Sequence, residues 1–360
     1  MKDKFNFIRE QIRLGRELPL TVIKPSLQTS LGVDRGVILC APRIIEFLLL
    51  RYSKDELKKR WFIIDSSQWY GYGHNQVADL HFIASPELIP DYLNSPYSSI
   101  PFSTLGDGGD FVNPLHFFPI PTEPLYDIVL VASWAPFKQH YKLFEAAKVL
   151  QNLGKPVRIL VVGSYCVPGH MDTLEDALRY EREVKDLAKE LRIDVNFVDN
   201  SNTSHENVDG SLALGKYTKK EINVFINQAR IAVLPSFREG TTRFVAEALC
   251  ANKPVIVLRT LEAGTTKYIN SSTGLIADDT PNGLAGGIVD TLKNIKAFSP
   301  RQTFLTEYGF SKSNRGLEAM IENIVKQQKD NLFTVPNCQY GGDMWSADYY
   351  GEFKEGMEYP

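Results

Sequence analysis

Two glutamates, Glu239 and Glu247, stand eight positions apart in the stretch SFREGTTRFVAEAL, Ser236 to Leu249. The residues before it, IAVLPS, read as a β-strand, and those from Thr242 onward as a helix, so the run lies where a strand passes into a helix. Threonine at 241 or 242 suits an N-cap. The amides of Gly240 to Arg243 are then the unpaired first-turn donors, at the positive end of the helix dipole. That makes an anion site, and glycine at 240 lets a ligand approach the backbone closely. Glu239 precedes the helix and Glu247 lies about five residues into it, so their surroundings differ by about 7 to 8 Å along the axis. Phosphates on the helix mouth, with a polyol held by each carboxylate, would match this spacing, because sugar hydroxyls donate and ionised carboxylates accept. A nucleotide sugar has that shape: hexose, diphosphate, ribose. The competing reading is that both glutamates are solvated surface charges.

The elements that must position these residues follow from the pattern around them. From Leu125 onward, short β-branched runs alternate with longer amphipathic segments, as in parallel strands joined by crossover helices. DIVLVAS, VRILVVGS, VNFV, IAVLPS, PVIVL and GLIA predict six strands. Helices are expected over Phe137–Leu153, stopping at Gly154, and near Thr173–Leu191, Thr218–Arg230, Thr242–Ala251 and Pro281–Ile295. A doubly wound sheet binds ligands beyond its C-terminal strand ends, so the function-bearing loops follow VAS, VVGS, VDN and VLPS. Gly163 and Ser164 end one of these strands, and either line a nucleotide pocket or only make the turn.

Residues 1–118 show a weaker form of the same grammar. PLTVIKPS, GVILCAP, WFIID and LHFIAS read as strands, with helices over Arg43–Tyr52 and after Pro86. Pro119, Pro121 and Pro124 resemble a stiff hinge. The expected organisation is a short Rossmann-like domain over 1–118, a hinge over 119–124, a nucleotide-sugar-binding Rossmann-like domain over 125–300, and a C-terminal helix and tail over 301–360 that crosses back to the first domain.

The totals remove several function classes. Forty Lys plus Arg against 43 Asp plus Glu give a net charge of −3 in 360 residues, without a long basic run, which argues against nucleic acid as a partner. Cys40, Cys166, Cys250 and Cys338 lack metal-ligand spacing and fit free thiols in a reducing compartment. The N-terminus has no apolar signal stretch, and IIEFLLL is far shorter than the roughly 20 residues of a membrane span. The expectation is a soluble cytoplasmic protein. The basic first 16 positions, with Phe5, Phe7, Ile8 and Ile12, form either a peripheral membrane contact or an ordinary surface helix.

LPSFREGTTRFVAEALCANKPVIVL resembles the signature of retaining glycosyltransferases of family 4, with its serine, its Glu-x7-Glu pair, and a small-residue turn into Pro-Val and a strand. ADLHFIAS, LGDGGDFVNP, VASWAPFKQHYKLFEAAKVL and INVFINQARIAVLPS follow the family in order, with Asp107 and Gly109 as departures. The resemblance covers roughly residues 78–295. It implies an α/β fold of the GT-B type: two facing Rossmann-like doubly wound domains with an interdomain cleft that closes on the donor. It implies that Glu239 contacts the transferred hexose and Glu247 the ribose hydroxyls, while Ser236, Gly240, Thr241 and Thr242 meet phosphates and sugar. Lys138 matches the lysine that neutralises the diphosphate. The arginine usual five residues upstream of it is Ser133 here, and Arg243 or Arg238 either supplies that cation or is a surface arginine.

Gly163 and Ser133 complete the candidate donor site. His74, set among Trp69, Tyr70 and Tyr72, is the nearest candidate for the family's N-terminal histidine, or a loop histidine without a role; His81 reads as packed. The glycine-rich loop usual after the first strand is represented only by Gly32 and Gly36. The implied reaction retains the anomeric configuration and needs neither metal, cofactor nor protein nucleophile, with Glu239 positioning and stabilising charge. The donor would be a UDP- or GDP-sugar and the acceptor a glycan, lipid or other molecule. The alternatives are a nucleotide-sugar epimerase or hydrolase of the same fold, or a catalytically silent sugar-nucleotide-binding protein.

Overall fold

The structure, a computed structural model, describes residues 20–40, 42–66, 76–106, 108–165, 171, 173–198 and 217–341. The chain divides into two compact units, Met1–Phe111 with Phe310–Pro360, and Val112–Gly309. Among the described residues no helix is long and apolar enough to cross a membrane.

In the first unit β1 (Leu20–Lys24) leads into a hairpin of β2 (Leu27–Thr29) and β3 (Gly32–Asp34). A five-stranded sheet has the order β1, β4 (Gly36–Cys40), β5 (Trp61–Asp65), β6 (Leu80–Phe82), β7 (Phe102–Ser103). β1 runs antiparallel and the others parallel. Successive side chains of β4 point to opposite faces. Ile38 and Cys40 pack with Ile44, Ile45, Phe47 and Leu48 of α1 (Pro42–Leu49). Val37 and Leu39 pack with Leu317, Ile321, Ile324 and Val325 of α10 (Gly309–Gln328), so the end of the chain supplies the second layer. Cover on both faces explains why GVILC is apolar at every position. Arg35 ties this return together: it donates to Gln328 at 2.6 Å and to Asp330 at 2.7 Å. Gln328 in turn donates to Asp79, whose other carboxylate oxygen accepts from the amide of Ile63. The smaller helices are α2 (Lys54–Arg60), opened by a Ser53–Glu56 capping box, and α3 (Ile89–Leu93).

The second unit holds the six predicted strands: β8 (Tyr126–Ser133), β9 (Arg158–Ser164), β10 (Asp194–Val198), β11 (Ala229–Leu234), β12 (Val255–Leu258) and β13 (Gly274–Ala277). All pair in parallel in the order β10-β9-β8-β11-β12-β13. That is the doubly wound order 3-2-1-4-5-6, in which the direction of winding reverses between the first and fourth strands. Here those are β8 and β11. The helices are α4 (His140–Asn152), α5 (Leu174–Leu191), α6 (Lys219–Asn227), α7 (Arg243–Cys250), α8 (Pro281–Lys293) and α9 (Pro300–Glu307). α4 gives way to Gly154 at φ +71, and Thr173 and Thr218 cap α5 and α6.

One expectation changes. The proline-rich segment 119–124 is not where the units divide; the division lies between Phe111 and Val112. The segment is stitched to α6 instead. Phe118 and Ile120 donate their amides to the side chains of Asn223 and Asn227 at 3.1 and 2.9 Å, and Asn227 returns a bond to the Phe118 carbonyl at 3.0 Å. Prolines lack an amide donor, and the residues on either side of Pro119, Phe118 and Ile120, supply the bonds to two buried asparagines that the sequence pattern did not flag.

Candidate functional site

The reversal between β8 and β11 places two loops side by side at the C-terminal edge of the second unit's sheet. After β8 the chain runs through Trp134 and a 3₁₀ turn, Pro136–Lys138, to Gln139, which adopts the left-handed conformation at φ 50 and starts α4. After β11 it runs through Ser236 to Thr242 and enters α7. A backbone bond joins the loops, from the Phe237 amide to the Phe137 carbonyl at 3.0 Å. The second loop is also held from the β12 side. Glu262 donates to the Phe237 carbonyl and Glu239 to the Glu262 carbonyl, both at 2.9 Å.

With both loops fixed, Lys138 and Glu239 meet. Lys138 Nζ lies 2.5 Å from Glu239 Oε1, and both side chains are buried. Burying two charges this way is tolerable only because each compensates the other. Behind Lys138, His140 is wholly buried, stacked on Trp134 at 5.0 Å between ring centroids, with Nδ1 3.4 Å from the Tyr180 hydroxyl. Burial lowers its pKa to about 3, with the Lys138 ammonium adding to the effect, so His140 is neutral at pH 7. Lysine is therefore the cation of this loop. α4 is anchored further by Lys142, which donates to both Asp279 oxygens at 2.5 and 2.6 Å. Burial acts to raise the Asp279 pKa, but the hydrogen bonds from Lys142 and Thr260 outweigh it and hold the carboxyl below its ordinary value.

At the mouth of α7 the hydroxyl oxygens of Ser236, Thr241 and Thr242 are buried and have no hydrogen-bond partner among the described residues. Buried polar groups are nearly always paired, so three orphans in one loop mark a place where a polar ligand completes the bonding. Thr242 occupies the N-cap position, but its side chain makes no capping bond. Its amide donates to Thr265 Oγ1 at 2.6 Å, which corrects the expectation that every amide from Gly240 to Arg243 is open. The amides of Gly240 and Thr241 have no acceptor among the described residues. An oxyanion at this helix end would meet open amides, hydroxyls and a positive dipole end together.

Residues 126–294, which span the sheet, both loops and α7, match the family model described as Glycosyl transferases group 1. Over these residues the second unit is similar to group 1 glycosyltransferases. Solved structures give the same fold over more of the chain. Sucrose-phosphate synthase from Thermosynechococcus elongatus aligns with TM-score 0.57 at 16% identity, covering 81% of this chain and 74% of that one. Anabaena HepE in complex with UDP aligns with TM-score 0.54 at 13% identity, covering 74% of each chain. A glycosyltransferase from Rickettsia africae aligns with TM-score 0.52 at 15% identity, covering 80% and 77%. At these identities the likeness is one of fold, the GT-B fold with its Rossmann-like α/β units. No curated protein is similar in sequence at a significant level.

Within the matched residues, Glu247 lies on α7 and is buried, with Arg243 one turn before it at 3.4 Å. Arg238 pairs with Glu262 at 3.3 Å in an exposed bridge. Each arginine considered as a replacement cation thus already faces a carboxylate. Ser133 pairs in register with Ser164 across β8 and β9. Gly163 has a packing function: a Cβ there would stand 2.1 Å from the Trp134 ring, so glycine admits the indole that backs the lysine loop. His74, Trp69, Tyr70 and Tyr72 lie outside the described residues. Among the described residues no group of three or more His, Cys, Asp or Glu side chains comes together as a metal site. The sequence reading missed Thr265 because it followed the loops after β8 to β11 and stopped; the loop after β12, LEAGTTKY, reaches the same edge and carried the available signal.

Proposed function

We propose that this chain is a retaining hexosyltransferase of family 4. It takes a hexose from a nucleotide-diphosphate sugar, UDP- or GDP-linked, and passes it to a glycan, lipid or other acceptor without a metal ion. The observation that carries the reading is the buried Lys138–Glu239 pair beside the unpartnered hydroxyls of Ser236, Thr241 and Thr242. Donor phosphates bring negative charge to Lys138, and Glu239 then accepts from hexose hydroxyls, so the substrate replaces the internal ion pair. As the bond from the anomeric carbon to the diphosphate breaks, charge grows on the departing oxygen, where Lys138 and the mouth of α7 oppose it. The acceptor oxygen bonds to the same face of the anomeric carbon, and its proton passes to the departing phosphate. Glu239 stabilises the positive sugar rather than taking a proton. Glu247 holds the ribose hydroxyls. His74 is the candidate histidine of the first unit.

The test is to incubate the protein with labelled UDP- and GDP-hexoses and a panel of glycan and lipid acceptors, reading the anomeric coupling of the product by NMR. Transfer with retained configuration supports the proposal. Free sugar or an isomerised donor would indicate a hydrolase or epimerase, and stabilisation by a donor without turnover a silent binding protein.

A further inference from the structure

Thr265 belongs to the 3₁₀ turn Gly264–Tyr268 that follows β12, outside the stretch carrying the two glutamates, and it is completely buried. Its neighbour Tyr268 anchors the turn, with its ring 5.2 Å from Phe304 and 5.3 Å from Tyr308. The Thr265 hydroxyl makes two bonds to the mouth of α7. It accepts from the Thr242 amide at 2.6 Å and donates to the Gly240 carbonyl at 3.2 Å. One proton and one lone pair are thereby used, in the only assignment these partners allow, since an amide must donate and a carbonyl must accept.

The consequence lies in the peptide between these two bonds. The Gly240 carbonyl and the Thr241 N–H belong to one planar trans peptide group, so they point in opposite directions. Holding the carbonyl toward Thr265 directs the Thr241 N–H away from it. That N–H has no acceptor among the described residues, and the hydroxyls of Thr241 and Thr242 beside it are buried without partners. We infer that Thr265 is a positioning residue, whose hydroxyl, by holding the Gly240 carbonyl and the Thr242 amide, aims the Thr241 amide so that it receives the diphosphate of the nucleotide. This rests on the proposed function. It deepens it by placing the control of phosphate binding in a side chain from a third loop.

The experiment compares Thr265→Val, which keeps the shape and removes both bonds, with Thr265→Ser, which keeps the hydroxyl. Affinities for UDP and GDP are measured by calorimetry, and those for uridine and guanosine by ligand-observed NMR. Thr265→Val should weaken the nucleoside diphosphate that the wild type binds by about tenfold or more, with nucleoside affinity unchanged. Thr265→Ser should stay close to wild type. Undiminished diphosphate binding in Thr265→Val, or an equal loss for the phosphate-free nucleoside, overturns the positioning role while leaving the proposed function standing. A wild type that binds neither diphosphate overturns both. Should Thr265→Val not fold, Thr265→Ala carries the same comparison against Thr265→Ser.

Discussion

Lys138 Nζ and Glu239 Oε1 lie 2.5 Å apart and join loops 101 residues distant in sequence. Each charge is buried with the other as its compensation. Removing one alone leaves the other charged and desolvated, at a cost of about 3–5 kcal/mol, whereas replacing both with neutral groups of similar size is far less costly. Lys138→Met should therefore destabilise the fold by that amount, and Lys138→Met with Glu239→Gln should recover most of it. Urea denaturation of the four proteins in the cycle measures the coupling; additive effects would mean the pair contributes no net interaction.

For catalysis the same two residues are expected to act on different parts of the donor. Lys138→Ala and Glu239→Gln should each lower the transfer rate more than tenfold, about 1.4 kcal/mol or more at the barrier. Steady-state kinetics on the folded variants decides this, and wild-type rates in both would remove these residues from the chemistry.

The six strands of the second unit were legible because each is a short β-branched run between helix-period segments, and the parallel order follows from that alternation. The candidate site was legible where local sequence carries it: Glu239, Gly240, Thr241 and Thr242 are contiguous, and Lys138 follows β8, the first strand of that unit. What escaped depends on contacts between distant segments. Thr265 meets Thr242 only because β12 lies beside β11. The role of Gly163 is set by the Trp134 ring across β8 and β9. The prolines at 119, 121 and 124 looked like a hinge because prolines break periodicity, and no local pattern shows that Asn223 and Asn227 bind the amides of Phe118 and Ile120.

Metal independence is open to a direct check. A lysine and a helix N-terminus can supply the electrostatic stabilisation that a divalent cation supplies elsewhere. Transfer activity should be the same after EDTA treatment as before. A loss restored by magnesium or manganese would show that a cation shares the diphosphate with Lys138.

Gly163 links sheet packing to the lysine loop. A methyl group at this position would overlap the Trp134 ring, with 2.1 Å between its Cβ and the nearest ring atoms. Gly163→Ala should cost about 1–3 kcal/mol by overpacking. Because Trp134 stacks on His140 just beyond Lys138, it should also raise the KM for the donor. Trp134→Phe combined with Gly163→Ala frees space and should restore part of the stability. Thermal melts and donor titrations read both effects, and a Gly163→Ala protein identical to wild type would show that the indole has room to move.

His140 gives the second unit a defined response to acid. Its pKa is lowered from 6.5 to about 3 by burial and by the Lys138 ammonium. Between those values the unfolded chain binds a proton at this ring and the folded chain does not. Stability therefore falls as pH falls through that window, by about 1.4 kcal/mol per pH unit for the one proton, and the ring contributes nothing to the slope above pH 6.5. His140→Phe keeps an aromatic ring against Trp134 and removes the titration. Carboxylates titrate in the same window in both proteins, so the difference between the two stability profiles isolates the histidine. That difference should be flat above neutrality and should grow in favour of His140→Phe as pH is lowered from 6 to 4, read by urea denaturation at each pH. Profiles that stay parallel through the whole range would mean that the ring takes up its proton as readily in the folded chain as in the unfolded one.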